Sequence, residues 1–241
     1  MAGVTREPRR VLLGLGTGDD LYHSVEAATR FASAARAGLL CILVQQESLI
    51  SLAGLPFARV YGRGGLSSKF TMDSFESHFS QLVRNAESAL AESCARSKVT
   101  WQMLRPQGET LRELSAALEE GDIVVINRSD IQISGLGLFG VARLFLGRAA
   151  AVVVPSPAAK SGGRILAVSD GPGTAQATAI ARDIGLATGM RVETVGAADF
   201  PHFHGQASVV VAPMDIVAPM GEIEFLRKIA AAGATAVLVS E

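Results

Sequence analysis

A polar segment followed by glycines lies between two apolar runs and contains the residues best suited to bind a ligand. The apolar runs are Ile123–Ile126 and Ala151–Val154, and the polar segment Asn127–Ser134 leads into three glycines ending at Gly140. Continuous apolar runs are typical of strands covered on both faces. In an open α/β sheet, ligands bind at the carboxyl ends of the strands. The sequence therefore predicts a buried strand, a glycine-rich loop, a short helix and a second buried strand, with a ligand site in the loop.

Other residues that could bind a cofactor or a metal ion, or act in catalysis, form weaker patterns. The loop from Gly14 to Asp19 matches part of a dinucleotide fingerprint but lacks the third glycine, so a nicotinamide cofactor is not predicted. His202 and His204 follow Asp199 closely. A structural metal site normally has four ligands, so a solvated loop is favoured over a metal site. Neither a nucleophile elbow nor a Ser-His-Asp order is evident.

Composition narrows the class of protein. The 241 residues have a formal net charge of -1, from 22 basic and 23 acidic residues, so a nucleic-acid partner is not indicated. Hydrophobic residues make up 49% and aromatic residues 5%, which favours aliphatic helices packed on a parallel sheet and excludes general disorder. Cys41 and Cys94 are expected to be buried, reduced thiols.

The hydropathy pattern predicts a cytoplasmic protein without stable membrane insertion. No apolar run reaches the roughly 18 residues that a spanning helix needs. The richest candidate, Leu136–Val154, is interrupted by Arg143 and Arg148. The first residues also lack the apolar stretch of a signal peptide.

The chain contains an internal repeat of α/β pattern. The segments RRVLLGLGTGDD and GRILAVSDGPGT both begin with a basic residue and an apolar strand, continue into a loop with glycine and aspartate, and precede an alanine-rich helix. The second copy is shorter by a helix and a strand. A small, polar linker lies at Ser156–Gly163. We therefore predict two parallel-sheet domains with flavodoxin-like winding, residues 1–157 and residues 158–241.

Local signals predict where several helices begin and end. A helix is expected over about Leu21–Ala37, with Gly38 as its left-handed terminal residue. Asp73 and Glu76 fit a capping box at the start of a long helix. The segment Gln45–Ser68 has no clear period and is predicted to be a long functional or mobile loop.

These features together resemble the universal stress protein family in its tandem, two-domain form. Family members usually carry an aspartate and Gly-Ser after the first strand. The second half keeps Asp170 and Gly171, whereas the first half has Gly16 at about the aspartate position. The strand GDIVVIN resembles the family's fourth strand. The resemblance covers the whole chain as an order of elements.

The resemblance also implies a nucleotide site, because the family motif is Gly-x2-Gly-x9-Gly followed by Ser or Thr. At matching spacing the motif falls on Asn127, Asp130, Gly140 and Val141, so only the last glycine is kept. Asp130 would place a negative charge beside phosphates, and Val141 has no donor. An alternative register ends the motif at Gly147, with the following arginine as a phosphate partner, but it leaves too few residues for the next helix.

The resemblance implies Gly16, Asn127, Asp130 and Gly140 as candidate cofactor-binding residues, with ATP or a related adenine nucleotide as the candidate ligand. We expect a non-catalytic stress-response or regulatory protein with a degenerate nucleotide loop in its first domain. The alternative is a protein-interaction module without a nucleotide, in which the glycine loop and the segment after position 44 form the docking surface. The expected partner is a protein or a second copy of the chain. The two halves are expected to contact each other through Ala151–Val154 and Ala236–Val239.

Overall fold

The α/β alternation predicted from the sequence is present in the protein. The computed structural model describes residues 10–16, 21–61, 67–159, 163–169, 173–202 and 206–240. Predicted features at Asp19, Asp170, Gly171 and His204, and residues 160–162 of the predicted linker, lie outside these residues.

Strands and helices follow one another along the whole described chain. The elements up to residue 154 are β1 (Arg10–Leu15), α1 (Leu21–Ala34), β2 (Gly38–Leu43), β3 (Gln45–Gln46), α2 (Glu47–Ala53), β4 (Arg59–Tyr61), β5 (Ser67–Lys69), α3 (Met72–Ser97), β6 (Trp101–Leu104), β7 (Gln107–Gly108), α4 (Thr110–Ala117), β8 (Ile123–Val125), α5 (Arg128–Ser134), α6 (Gly137–Leu146) and β9 (Ala151–Val154). The later elements are β10 (Arg164–Ser169), α7 (Thr174–Thr188), β11 (Arg191–Gly196), a 3₁₀ helix (Phe200–His202), β12 (Val209–Pro213), α8 (Met214–Val217), a second 3₁₀ helix (Ala218–Met220), α9 (Glu222–Ala232) and β13 (Thr235–Val239).

One sheet runs through the whole molecule. Among the described residues it has nine strands in the order β11-β10-β12-β13-β9-β8-β1-β2-β6. All neighbouring strands in it are parallel except β13 and β9. Outward from that antiparallel pair, the order is β9-β8-β1-β2-β6 on one side and β13-β12-β10-β11 on the other, so the second side is shorter by one strand.

The antiparallel pair is the predicted contact between the last strands of the two halves. Ala236 lies opposite Val154, and Val239 lies opposite Ala151. Every residue of both strands is buried. A free apolar strand edge invites association with other chains, and this pairing removes two such edges at once.

Helices cover both faces of the sheet, as expected for strands with apolar residues on both sides. Alternate residues of each strand point to opposite faces, so Leu12 and Val124 join one core layer while Val11 and Leu13 join the other. The first layer includes α4, α6 and α9, and the second includes α1, α3 and α7. Each layer contains residues from both halves of the chain, so the core is continuous across the β9–β13 pair.

Three local predictions were wrong. Helix α3 begins with a capping box of Thr71 and Ser74, not of Asp73 and Glu76, because the hydroxyls reach the backbone N–H groups one turn away. Gly38 is the first residue of β2, and the left-handed residue after α1 is Arg36, with φ of 51°. The segment from position 45 is not featureless: α2 and the antiparallel pair β4–β5 lie within it.

A small separate core explains the order in this last segment. Ala53, Ala58, Phe70 and Phe75 are buried together, and the rings of Phe70 and Phe75 meet edge to face at 6.3 Å. Aromatic and methyl groups at irregular spacing fix this segment against α3, which is why no helix or strand period is visible. In the described residues, none of the helices has the length and apolar character to cross a membrane.

Candidate functional site

Three of the candidate ligand residues lie at the carboxyl end of neighbouring strands. β1 and β8 are parallel neighbours, with Leu13 opposite Val125 at the end of their paired region. Gly16 follows β1 directly, whereas Asn127 is the N-cap of α5 two residues after β8. This edge of a parallel sheet is where ligands bind in open α/β folds.

The side chain of Asp130 fills the space beside Gly16. A Cβ atom on residue 16 would lie 2.5 Å from Asp130 Oδ1 and 3.2 Å from Gln46 Nε2. Such a carbon–oxygen distance is a steric overlap, so glycine at this position makes room for the carboxyl group. Gly16 and Asp130, two of the candidate ligand residues, are therefore in direct packing contact.

The Asp130 carboxyl group is poorly solvated. The residue is 4% exposed, and its Oδ2 has no hydrogen-bond partner among the described residues; the same holds for Thr110 Oγ1 on α4. Burial raises the pKa of Asp130 from the ordinary 3.8 to about 6, because water no longer stabilises the charged form. The nearby Thr110 hydroxyl lowers the pKa of Asp130 and so offsets part of this rise. Its Oγ1 and the Oδ2 of Asp130 do not, however, form a hydrogen bond of acceptable geometry.

Asn127 holds the end of β8 to α1. Its side-chain Oδ1 accepts a hydrogen bond from Ser24 Oγ, and both residues are buried. The next residue, Arg128, has a buried Nε without a partner among the described residues. The amide of Asn127 is therefore engaged within the protein at a position where the family motif would have glycine.

The segment after β8 is more helical than predicted. Residues 128–134, predicted as part of a loop, form α5, which ends at Gly135 with φ of 69°. Gly140 lies inside α6 rather than in a loop. A Cβ on Gly140 would have one neighbour within 4 Å among the described residues, the side chain of Leu136. Gly16, Asn127 and Asp130 are therefore not among the described neighbours within 4 Å of that Cβ position.

The N-terminus of α6 is occupied by a residue that the sequence did not single out. Glu222, the first residue of α9, accepts hydrogen bonds from Leu138 N at 2.9 Å and Phe139 N at 3.0 Å. A Cβ on Gly137 would lie 2.7 Å from both carboxylate oxygens. A carboxylate at a helix N-terminus satisfies free N–H groups and interacts favourably with the helix dipole. We call this arrangement of Glu222, Leu138 and Phe139 the Glu222 contact.

Other predicted ligand residues are engaged elsewhere or stand alone. The alternative motif register relied on Arg148, but its guanidinium donates a hydrogen bond to the backbone oxygen of Leu118. His202 is exposed at the end of a 3₁₀ helix. The described residues contain no group of three or more His, Cys, Asp or Glu side chains suited to a metal ion. Cys41 and Cys94 are buried free thiols, as predicted.

Comparison with known proteins identifies the fold. No protein-family profile matches the sequence, and no curated protein matches it. Among solved structures, a universal stress protein from Archaeoglobus fulgidus DSM 4304 superposes with a TM-score of 0.57 at 10% identity, covering 99% of this chain and 98% of that one.

Two proteins from Pseudomonas aeruginosa are also similar. One, from strain UCBPP-PA14 and assigned to the universal stress proteins, has 13% identity and a TM-score of 0.47, covering 94% of this chain and 68% of that one. The other, a functionally unknown protein from strain PAO1, has 12% identity and a TM-score of 0.44, covering 98% of this chain and 74% of that one. The chain has the α/β fold of the universal stress proteins, and the Archaeoglobus structure carries this conclusion.

The buried carboxyl group of Asp130 makes stability depend on pH. Because its folded pKa of about 6 lies above the ordinary 3.8, the folded state loses stability as the pH rises from about 4 to 6, and the full loss is present above pH 6. We expect Asp130→Asn to raise the free energy of unfolding by about 1–3 kcal/mol at pH 8, at about 1.4 kcal/mol per pKa unit. The two proteins should have nearly equal stability at pH 4. Urea denaturation at both pH values measures the difference.

The matched control is Asp183→Asn, which changes an exposed carboxylate on α7. It should leave the difference between pH 4 and pH 8 as in the wild type. A stability gain of Asp130→Asn that is the same at both pH values would contradict a buried, ionised carboxylate.

The contact between residue 16 and Asp130 predicts strong coupling between substitutions. Gly16→Ala should destabilise the wild type by about 1–3 kcal/mol, since the added methyl overlaps the carboxyl oxygen. In an Asp130→Ala background the same change should cost much less, and a double-mutant cycle measures the difference. Gly147→Ala is the control, because no atom of the described residues lies within 4 Å of a Cβ there. Equal costs of Gly16→Ala in both backgrounds would refute the contact.

Proposed function

We propose that the chain is a non-catalytic stress-response or regulatory protein of the universal stress class, made of two tandem halves. The shared fold and the repeated strand order on either side of the β9–β13 pair support this proposal. In this proposal the first half keeps the position of a nucleotide loop but has lost the groups that would bind the phosphates.

The distribution of carboxylates supports the loss of phosphate binding. Phosphate sites in α/β proteins use backbone N–H groups of glycine loops and helix N-termini. Here the N–H groups of Leu138 and Phe139 already donate to Glu222. Asp130 adds a second carboxyl group at the edge of β1 and β8. A phosphate approaching either place would meet an acidic side chain in place of a free donor.

The proposed absence of catalysis rests on the same residues. A general base must reach the proton that it removes from a substrate. Among the described residues, Asp130 is the acidic candidate considered at this edge, and the residue is 4% exposed and packed on Gly16. This placement favours a structural role for Asp130 over proton transfer.

The proposal predicts that the purified protein neither retains nor binds ATP. Denaturing the protein and analysing the released small molecules by mass spectrometry should recover no stoichiometric nucleotide. Calorimetric titration with ATP, with and without magnesium, should give no binding heat. The pair Asn127→Gly with Asp130→Gly should also fail to bind, because Glu222 still occupies the α6 N–H groups.

Two results would overturn this part of the proposal. One is recovery of an adenine nucleotide at about one per chain. The other is a large gain in ATP affinity in the glycine pair, which would mean that the two substitutions alone account for the lost site. Circular dichroism of each variant confirms that a negative titration comes from folded protein.

A protein-interaction module is the second candidate, and exposed apolar side chains favour it. Five of them lie close together in sequence around β4, and Phe57 and Tyr61 are 76% and 72% exposed. The residues are Leu52, Leu55, Phe57, Val60 and Tyr61. We call them the β4 surface. Clustered exposed apolar residues are typical of surfaces that bind another protein.

The β4 surface predicts a partner that depends on its aromatic residues. Proteins crosslinked to the wild type in an extract of the source cells should be lost with Phe57→Ser and Tyr61→Ser together. The control combines Leu186→Ser with Ile223→Ser, which are 80% and 77% exposed outside this surface, and should retain the same proteins. An identical crosslinked set for all three proteins would count against the interaction module.

A further inference from the structure

The Glu222 contact joins the two halves at a second place, away from their shared strand pair. Glu222 begins α9 in the second half, and Leu138 and Phe139 lie in the first turn of α6 in the first half. The residues are 84 and 83 positions apart in the chain. We propose that the Glu222 contact is a releasable clasp, which opens this corner of the molecule locally while the β9–β13 pair stays closed.

The carboxylate of Glu222 is bound by the same kind of backbone groups that bind free anions at helix N-termini. Its two oxygens accept from two successive backbone N–H groups, at 2.9 and 3.0 Å. Gly137 has φ of 70° and no side chain, and a Cβ there would overlap both oxygens. Charge-assisted hydrogen bonds of this kind are stronger than neutral ones. Both halves therefore contribute to the contact: one supplies the donors and the space, and the other supplies the charge.

Glu222 differs from its neighbour Glu224 in the partners that it has. Glu224, in the same first turn of α9, forms ion pairs with Arg227 and with Lys228 on its own helix. In the described part of the chain, Glu222 has no ion pair with a basic side chain, and its hydrogen bonds go to the other half. Among the described residues, the polar part of the link between α9 and the first turn of α6 is thus this one carboxylate rather than a network of charges.

The surroundings of Glu222 allow it to leave without unfolding the core. Glu222 is half-buried and Ile223 is 77% exposed, so water reaches the start of α9. Deeper in the same interface, the rings of Phe139 and Phe225 lie 5.7 Å apart, and Phe225 is fully buried. Segments with few buried contacts open more readily than the core to which they are attached. The polar contact at the rim can open while the aromatic contact below it holds.

Amide hydrogen exchange followed by NMR tests the clasp without any ligand, so its outcome is independent of the proposed function. The variants are Glu222→Ala and the milder Glu222→Gln, which keeps one acceptor oxygen. We expect exchange of the Leu138 and Phe139 amides to rise about ten-fold or more in Glu222→Ala, and less in Glu222→Gln. Amides in β9 and β13 should change far less.

Glu224→Gln is the matched control, and it should leave exchange at Leu138 and Phe139 unchanged. Two results would overturn the proposal. The first is unchanged exchange at both amides in the Glu222 variants. The second is an equal rise across α6, α9, β9 and β13, because Glu222 would then only add to global stability. If Glu222→Ala does not fold, Glu222→Gln gives the same comparison at lower amplitude.

Discussion

The antiparallel pairing of β9 with β13 is the interaction on which the rest of the structure depends. Each strand is buried on both faces, and neither could remain as an exposed edge without inviting association with other chains. Their pairing makes one sheet from two parallel parts and makes both core layers continuous across the chain. It also brings α9 next to α6, and so permits Glu222 to meet backbone groups more than eighty positions away.

Gly16 and Gly137 have the same role, which is to make room for a carboxyl group of the protein itself, and Gly108 does the same for Glu113. Gly16 accommodates Asp130 and Gly137 accommodates Glu222, because a Cβ on either glycine would lie only 2.5 or 2.7 Å from a carboxylate oxygen. Glycine-rich loops in α/β folds commonly let backbone N–H groups approach a bound phosphate. Here the same absence of side chains serves internal packing. The chain therefore shares the fold of the universal stress proteins, and these two glycines pack against side chains of the protein itself.

The two carboxyl groups have different electrostatic surroundings. Glu222 reaches two N–H donors and the positive end of a helix dipole, so its charge is stabilised where it lies. Asp130 has a buried oxygen without a partner among the described residues, and burial raises its pKa to about 6. The first group therefore links α9 to α6, whereas the charged form of the second is disfavoured by burial. Neither arrangement favours an additional anion.

The sequence by itself determined the classes of the main elements and their order. Residues adjacent in sequence define these features, so a short-range pattern is enough to recognise them. Examples are the apolar run Ile123–Ile126, the alanine-rich helices and the repeated strand-loop-helix opening. The family resemblance also grouped Gly16 and Asp130 in one candidate site, and these two residues are in contact. Only the tertiary structure decided which side chains face each other there. Three interactions join residues far apart in sequence: the packing of Asp130 on Gly16, the hydrogen bond of Asn127 to α1, and the Glu222 contact. No local periodicity carries information about such partners.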